Sequence, residues 1–274
     1  MPRLMNDISR TADPSRMADD SHRVMVTAVT HWTLSLFSFE VERPQNFRFR
    51  SGEFAMLGLI QPDGRPLLRA YSMTSPSWDD KLAFYSIIIP DGPLTSQLQH
   101  IRIKDHLVLR PKTTGTLVLD TLSPAKRLFL LSTGTGFAPF AAIIRDPQTY
   151  DIFDQVIVTH TCRNRKDLGF SQHVIDSAIN HPLIGAMIAP RLTFYPSLTR
   201  EDFHHQGRIT TILQTGKLFE DLNIAALDPD NDRVMVCGSL GLNQDLAAFL
   251  QDRGFVEGSH NRPASYVVER AFVG

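Results

Sequence analysis

A change of hydrophobic period near residue 122 constrains the fold more than any other feature of this sequence. Between Arg23 and Asp120, short runs of β-type composition follow one another: VMVTAVTHW, LSLFSFEV, FAMLGL, LLRAYSM, LAFYSIII, HLVLR and TLVLD. Turn signals such as PQN, PDGRP and PSWDD separate them. Short strands at that density predict a closed antiparallel β-barrel. One segment inside it differs: PDGPLTSQLQHI, residues 90–101, places Leu94, Leu98 and Ile101 at spacings of four and three and predicts a short helix over one end of the barrel. After LSPAKR, residues 122–127, β runs alternate with helical ones. LFLLST leads to an apolar helix from Gly136, QVIVTHTC to a helix over 170–180, RLTFYPSL to a stretch around Ile209, and DRVMVCGS to a helix over 242–253; SYVVERAFVG closes the chain on a strand. Parallel strands with helical crossovers, hence a doubly wound α/β domain, are expected.

Length agrees with two domains, since 274 residues allow each half to bury its own core. The expected organisation is a loose tail over 1–22, a β-barrel over 23–122 and an α/β domain over 123–274. The first twenty residues have no apolar run and so predict neither signal peptide nor anchor. The most apolar window, residues 129–144, is broken by Ser, Thr, Gly and Pro and falls short of a bilayer span. With 28 Lys and Arg against 29 Asp and Glu, no global field favours nucleic acid or an anionic membrane. The two cysteines, Cys162 and Cys237, cannot ligate an iron–sulfur cluster or a structural zinc, and they fit a reducing cytoplasm better than a disulfide-stapled secreted fold.

LLSTGTGFAPF, residues 130–140, sets two glycines between an apolar strand and an apolar helix. Amides at Thr133, Gly134, Thr135 and Gly136 could cradle a pyrophosphate, glycine permitting close approach. Pro139 stands where the usual dinucleotide fingerprint has its third glycine, so a plain glycine-rich turn remains an alternative. The next strand ends in CRNRK rather than in a carboxylate that would bind a ribose diol. Arg163 there suits a 2′-phosphate, as does Arg200 with Thr199 after the following strand, and NADP is favoured over NAD. A solvated arginine is the plain alternative at each position. Cys237 and Gly238 end the fourth strand near the place of a nicotinamide, although a buried cysteine is commonly inert packing. No histidine is placed by sequence to activate a cysteine. His204 and His205, with Glu201 nearby, fit no zinc-enzyme spacing and are read as loop or surface residues; no metal is expected.

A barrel carrying RAYS, a GPLTS segment after a Tyr-Ser strand, TGTGFAP opening an α/β domain and VCGS near its end together resemble the ferredoxin–NADP reductase superfamily. The AFVG end is most similar to the bacterial ferredoxin/flavodoxin–NADP reductases. The resemblance spans residues 23–274, and what it implies is an FAD enzyme with NADP(H) as substrate. Arg69 would pair with the FAD pyrophosphate, Tyr71 would wall the flavin and ribityl chain, and Ser72 would sit near N5, with Ala70 between them. Tyr85, Ser86 and Ile87 match a second flavin-lining strand. Gly92, Leu94, Thr95 and Ser96 match the loop and helix start at the diphosphate, where a plain N-capped helix is the alternative. Residues 133–139 would approach the NADP pyrophosphate and nicotinamide, Cys237 would line the nicotinamide site, and Glu269 matches an acidic residue near the flavin. Ala271, Phe272, Val273 and Gly274 replace the terminal tyrosine of the plastid enzymes.

The implied reaction is hydride transfer between nicotinamide C4 and flavin N5, followed by single-electron exchange with ferredoxin or flavodoxin. Ser72, Cys237 and Glu269 are the candidates for setting its geometry. A monomer meeting an acidic carrier transiently is expected, with Arg43, Arg48, Arg50, Arg65 and Lys112 as candidate docking cations or else scattered surface charge. The alternatives are a flavin subunit of a larger complex, and an NADPH-dependent flavin or quinone reductase.

Overall fold

The computed structural model describes residues 22–271. The expected tail, up to residue 21, and Phe272, Val273 and Gly274 lie outside the described residues. Six antiparallel strands come first: β1 (Arg23–His31), β2 (Leu36–Glu42), β3 (Phe54–Ile60), β4 (Pro66–Ser72), β5 (Lys81–Ile87) and β6 (His106–Thr114), in the order β4-β3-β6-β1-β2-β5. The sheet closes where Met73, just past β4, bridges to Phe84 on β5 and the Thr74 amide donates to the Ala83 carbonyl at 2.7 Å. Closure removes the exposed edges that an open sheet would present. Inside, alternate residues stack: Phe37, Phe39 and Phe84 lie with ring centroids 5.8 and 5.4 Å apart.

Two expectations change here. TLVLD is not a strand: Gly115, at φ +145°, breaks β6, and Leu119–Thr121 forms a 3₁₀ turn. Leu117 and Leu122 leave the barrel and join the core of the second half, so their apolar character answers to a different partner from the one their β-type composition suggests. The helix expected over 90–101 is a single turn, α1 (Thr95–Leu98). Leu94, Leu98 and Ile101 nevertheless all bury into the barrel core, as their spacing predicts.

The second half is a five-stranded parallel sheet of β7 (Arg127–Thr133), β8 (Gln155–Cys162), β9 (Leu192–Leu198), β10 (Asp232–Cys237) and β11 (Tyr266–Val268), ordered β11-β10-β7-β8-β9. Alternation along each strand feeds two cores. Leu128, Leu130, Val156, Val158, Met235 and Cys237 face one side, and Phe129, Leu131, Ile157, Val234 and Val236 face the other. On the first side lie α2 (Ala138–Ile143), α3 (Pro147–Ile152), α4 (Gly169–Ile179) and α5 (Gly185–Ile188), and that core also takes in Leu36 and Tyr85 of the barrel. On the second lie α6 (Ile209–Gln214), α7 (Lys217–Leu222) and α8 (Leu240–Gln251). Arg127 holds Asp232 bidentately at 2.6 and 2.7 Å, locking β7 to β10 at their amino ends.

Candidate active site

Strand order reverses between β7 and β10, and in such sheets the crevice beyond the carboxyl ends of the two diverging strands receives ligands. Two turns meet there. The chain leaves β7 through a 3₁₀ turn, Gly134–Phe137, and leaves β10 through Gly238 and Ser239, the latter capping α8 by accepting from the Leu242 amide at 3.3 Å. A Cβ at Gly136 would stand 2.6 Å from the Cys237 carbonyl carbon and 2.9 Å from the Gly238 nitrogen. The two turns therefore pack backbone on backbone, which accounts for the second glycine of TGTG. The first has another cause: Gly134 adopts φ +53° with open space around it.

His160 of β8 fixes this turn from below. Fully buried, it lies 2.8 Å from the Gly134 carbonyl through Nε2 and 2.8 Å from Ser171 Oγ through Nδ1. Burial lowers its pKa to about 4, so the ring is neutral, and its one N–H sits on Nε2, donating to the Gly134 carbonyl, which can only accept. Because carbonyl and following N–H oppose one another across a trans peptide, drawing the Gly134 oxygen inward turns the Thr135 amide away from His160. The same ring lies 3.3 Å from Cys162 Sγ, a cysteine–histidine approach the sequence gives no sign of. It is not an activated pair, since burial pushes the thiol up to about 12 and the imidazole is uncharged.

A pH dependence of stability follows. The imidazole's folded pKa lies below its unfolded value near 6.5, so as pH falls below 6.5 the unfolded chain binds a proton that the folded chain refuses. Stability is expected to drop by about 1.4 kcal/mol per pH unit down to pH 4, roughly 3 kcal/mol in all, and to be insensitive to this group above 6.5. Urea unfolding at pH 7 and pH 5 should show the wild type losing about 2 kcal/mol more than His160→Gln; equal losses would remove His160 as the cause.

On the barrel side, the bridge of Met73 to Phe84 sets Ser72 opposite Tyr85 across the seam. Both are buried, and among the described residues the Ser72 Oγ and Tyr85 hydroxyl have no hydrogen-bond partner. Two orphaned buried hydroxyls are costly unless something else satisfies them. Tyr85 stacks on Phe170 of α4 at 4.0 Å, and β5 lies directly against the Gly134–Phe137 turn, so the seam and the crevice share one wall. Tyr71 turns edge-on to Phe39 and Phe84 and shares a hydrogen bond with Ser86 Oγ at 3.2 Å. Arg69 is exposed and, among the described residues, bonds only the Leu68 carbonyl, at 2.8 Å, leaving most of its donors available. Ala70 and Ile87 are partly or fully exposed beside these residues. In the following loop Gly92 accommodates the Thr95 hydroxyl, which bridges Ile89 N and O at 3.1 and 3.3 Å; Leu94 is core, and Ser96 donates its amide to the Gly92 carbonyl at 3.2 Å.

Across the crevice, the Thr199 amide donates to Cys162 O at 3.0 Å and the Arg200 amide to Arg163 O at 3.1 Å. The ends of β8 and β9 are thereby stitched together, and both guanidiniums are exposed without a hydrogen-bond or ion-pair partner among the described residues. Glu269, just past β11, is buried. Its Oε2 accepts from the Thr116 amide at 3.0 Å and its Oε1 from the Arg270 and Ala271 amides at 2.8 and 2.9 Å. It thus ties the end of the chain to the segment leaving the barrel. Burial, with the Glu269 charge nearby, raises the Cys237 pKa, so Cys237 is a small neutral wall and not a nucleophile.

Among the docking candidates, Arg43 is spent inside the barrel loops on the Phe47, Ser77 and Asp79 carbonyls, and Arg50 on Glu53 and Asp120. Arg48, Arg65 and Lys112 are exposed. His204 is exposed, and His205 stacks on Tyr195 at 3.7 Å. Among the described residues no group of three or more His, Cys, Asp or Glu is arranged to hold a metal, and no helix is long and apolar enough to cross a membrane. Nothing in the sequence flagged His160, which reads as one more residue of a buried strand.

Comparison with known proteins agrees with this geometry. Residues 130–247 match a family described as the oxidoreductase NAD-binding domain. The flavodoxin/ferredoxin–NADP reductase of Rhodobacter capsulatus is 51% identical over 98% of this chain and 99% of its own length. The ferredoxin–NADP reductase of Pseudomonas aeruginosa is 44% identical over 90% of this chain and 96% of its own. A crystal structure of a ferredoxin NADP+ reductase from Neisseria gonorrhoeae with bound FAD and NADP superposes with a TM-score of 0.81 at 27% identity, covering 91% of this chain and 98% of that one.

Proposed function

This chain belongs to the ferredoxin–NADP reductase family, and from that premise we propose how its own residues carry electrons between NADP(H) and ferredoxin or flavodoxin. The observation that carries the reading is the orphaned pair Ser72 and Tyr85 beside a crevice whose floor only glycine can form. These residues fit FAD: Ser72 offers a hydroxyl toward flavin N5, Tyr71 and Tyr85 supply aromatic wall, and the free donors of exposed Arg69 suit the pyrophosphate, with Ser86, Gly92 and Ser96 near it. When bound, FAD exchanges two electrons with NADP(H) and passes them on one at a time.

The chain's own part is alignment. Gly136 against Cys237 and Gly238 leaves room for a flat ring near Ser72, the Thr135 amide turned by His160 faces a diphosphate, and Arg163 with Arg200 and Thr199 receives the 2′-phosphate. Glu269 holds Arg270 and Ala271 against the barrel exit. Residues 23–122, the barrel with the segment that leaves it, form the FAD-binding domain and 123–274 the NADP-binding domain. A monomer working in the cytoplasm, with two buried free thiols, meets its acidic carrier transiently at a face that includes Arg48, Arg65 and Lys112.

Turnover tests this. Yellow, FAD-loaded protein should reduce ferredoxin and flavodoxin with NADPH, and those rates should fall as salt rises while the rate with a small neutral acceptor holds. Equal salt responses would remove the basic docking face. Activity with small acceptors alone would identify a flavin or quinone reductase.

A further inference from the structure

One charged side chain stands between the two halves with no part in the site so far. Arg145 follows α2, and among the described residues its guanidinium bonds only backbone carbonyls: Nε donates to Ala141 O at 2.9 Å and Nη2 to Thr74 O across the domain boundary. Burial lowers its pKa to about 10, and the carboxylates that act on it, Asp79 and Glu40, do so only through space. A half-buried cation that bonds no carboxylate among the described residues is a costly way to join two surfaces. Its neighbours make the same crossing. Asp146 Oδ2 accepts from Ser51 Oγ at 2.5 Å and Ser77 Oγ at 3.3 Å, while its Oδ1 caps α3 through the Gln148 amide at 3.1 Å. The Arg145 carbonyl in turn accepts from the Trp78 indole at 3.1 Å.

Both ends of this connection are informative. On the barrel, the gripped segment begins at Thr74, two residues beyond Ser72 and inside the seam that sets Ser72 opposite Tyr85. On the other side the chain runs back from Arg145 through α2, whose residues are all buried, to the Gly134–Phe137 turn packed on Cys237. No loop intervenes between the turn and the grip. The run 134–146 is a strut with the nicotinamide-side turn at one end and the flavin-side strand at the other.

We infer that Arg145, with Asp146, is a positioning pair that sets the separation between Ser72 and the Gly136–Cys237 wall, and with it the approach of nicotinamide to flavin. The inference rests on the assignment of those two walls. Its reasoning is that a transfer between ligands held by different domains depends on their mutual placement far more than on either affinity, and misplacement by about 1 Å can slow such a step on the order of 100-fold. Arg145 touches neither ligand in this account; it acts through Thr74.

FAD-loaded Arg145→Met, Arg145→Lys and Asp146→Asn proteins test this in stopped flow against NADPH, with separate titrations of FAD and NADP+. Three further readouts apply: the long-wavelength absorbance produced by NADP+ over the flavin, amide exchange at 74–78, and loss of flavin on dilution. In Arg145→Met, flavin reduction should slow about 10- to 100-fold while either dissociation constant moves less than about threefold. The long-wavelength absorbance should weaken and exchange at 74–78 should quicken. Arg145→Lys, which keeps one charged donor, should recover part of the rate. A merely structural role would lower thermal stability and leave the absorbance and the rate of the surviving holoenzyme unchanged, and that result overturns the inference. So would a rate loss fully matched by weaker FAD binding. If Arg145→Met does not fold, Asp146→Asn and Ser77→Ala carry the same comparison. Failure of NADPH to reduce the wild-type flavin would instead refute the assignment of the walls.

Discussion

Replacing Arg163 and Arg200 together by alanine is expected to erase the preference for NADPH over NADH, lowering the ratio of their kcat/KM values by about 1000-fold. Each guanidinium is exposed and, among the described residues, unpaired, and the backbone bonds from Thr199 to Cys162 and from Arg200 to Arg163 hold the two bases of these side chains together. A hydrogen bond to a charged group contributes about 1.5–3 kcal/mol, so two such contacts to one phosphate amount to roughly 3–6 kcal/mol, and a loss of about 4 kcal/mol, inside that range, is 1000-fold. The 2′-phosphate lies far from the reacting carbon. Its loss should therefore raise KM for NADPH and leave kcat, and every constant for NADH, nearly unchanged. Single substitutions should each cost about 10- to 100-fold. Steady-state kinetics with both nucleotides decide it: a double variant that still discriminates by the wild-type ratio would move the 2′-phosphate elsewhere.

How much of this was legible in the sequence depended on whether the deciding interaction is local. The period change near residue 122, the parallel runs and the glycines of TGTG are written in consecutive residues, and all reappear as β1–β6, β7–β11 and the turn at the order reversal. TLVLD misled because its composition suits a strand, whereas Gly115 and a neighbouring core decide its conformation. The roles of Arg145, His160 and Tyr85 depend on partners in distant segments: Thr74, Gly134, Ser171 and Phe170. Arg43 and Arg50 show the same limit from the opposite direction. They read as free surface cations and prove to be tied to the Ser77 and Asp79 carbonyls and to the Asp120 carboxylate, which only folding brings near.

The sharpest steric expectation concerns the two glycines of the crevice turn, which look alike in sequence and differ in cause. Gly136→Ala would drive a methyl group into the Cys237–Gly238 peptide, 2.6 Å from one backbone atom and 2.9 Å from another, where no flexible side chain can yield. Either the turn lifts off β10 or the peptide moves, and both spoil the wall beside Ser72. Unfolding of the apo chain in urea should show a loss of about 3 kcal/mol, at the upper end for overpacking, and NADP+ binding should weaken by about 100-fold or more. Gly134→Ala meets no atom within 4 Å, but its φ of +53° is unfavourable for a side chain, so about 1 kcal/mol and a modest change in affinity are expected. Gly241→Ala, on the open first turn of α8, is the control: it meets nothing and should be neutral or slightly stabilising. The order Gly136, Gly134, Gly241 is the test. A Gly136→Ala protein as stable as the Gly241→Ala control, with NADP+ affinity intact, would mean that the two turns do not meet as described, and the alignment of nicotinamide against Ser72 would lose its floor.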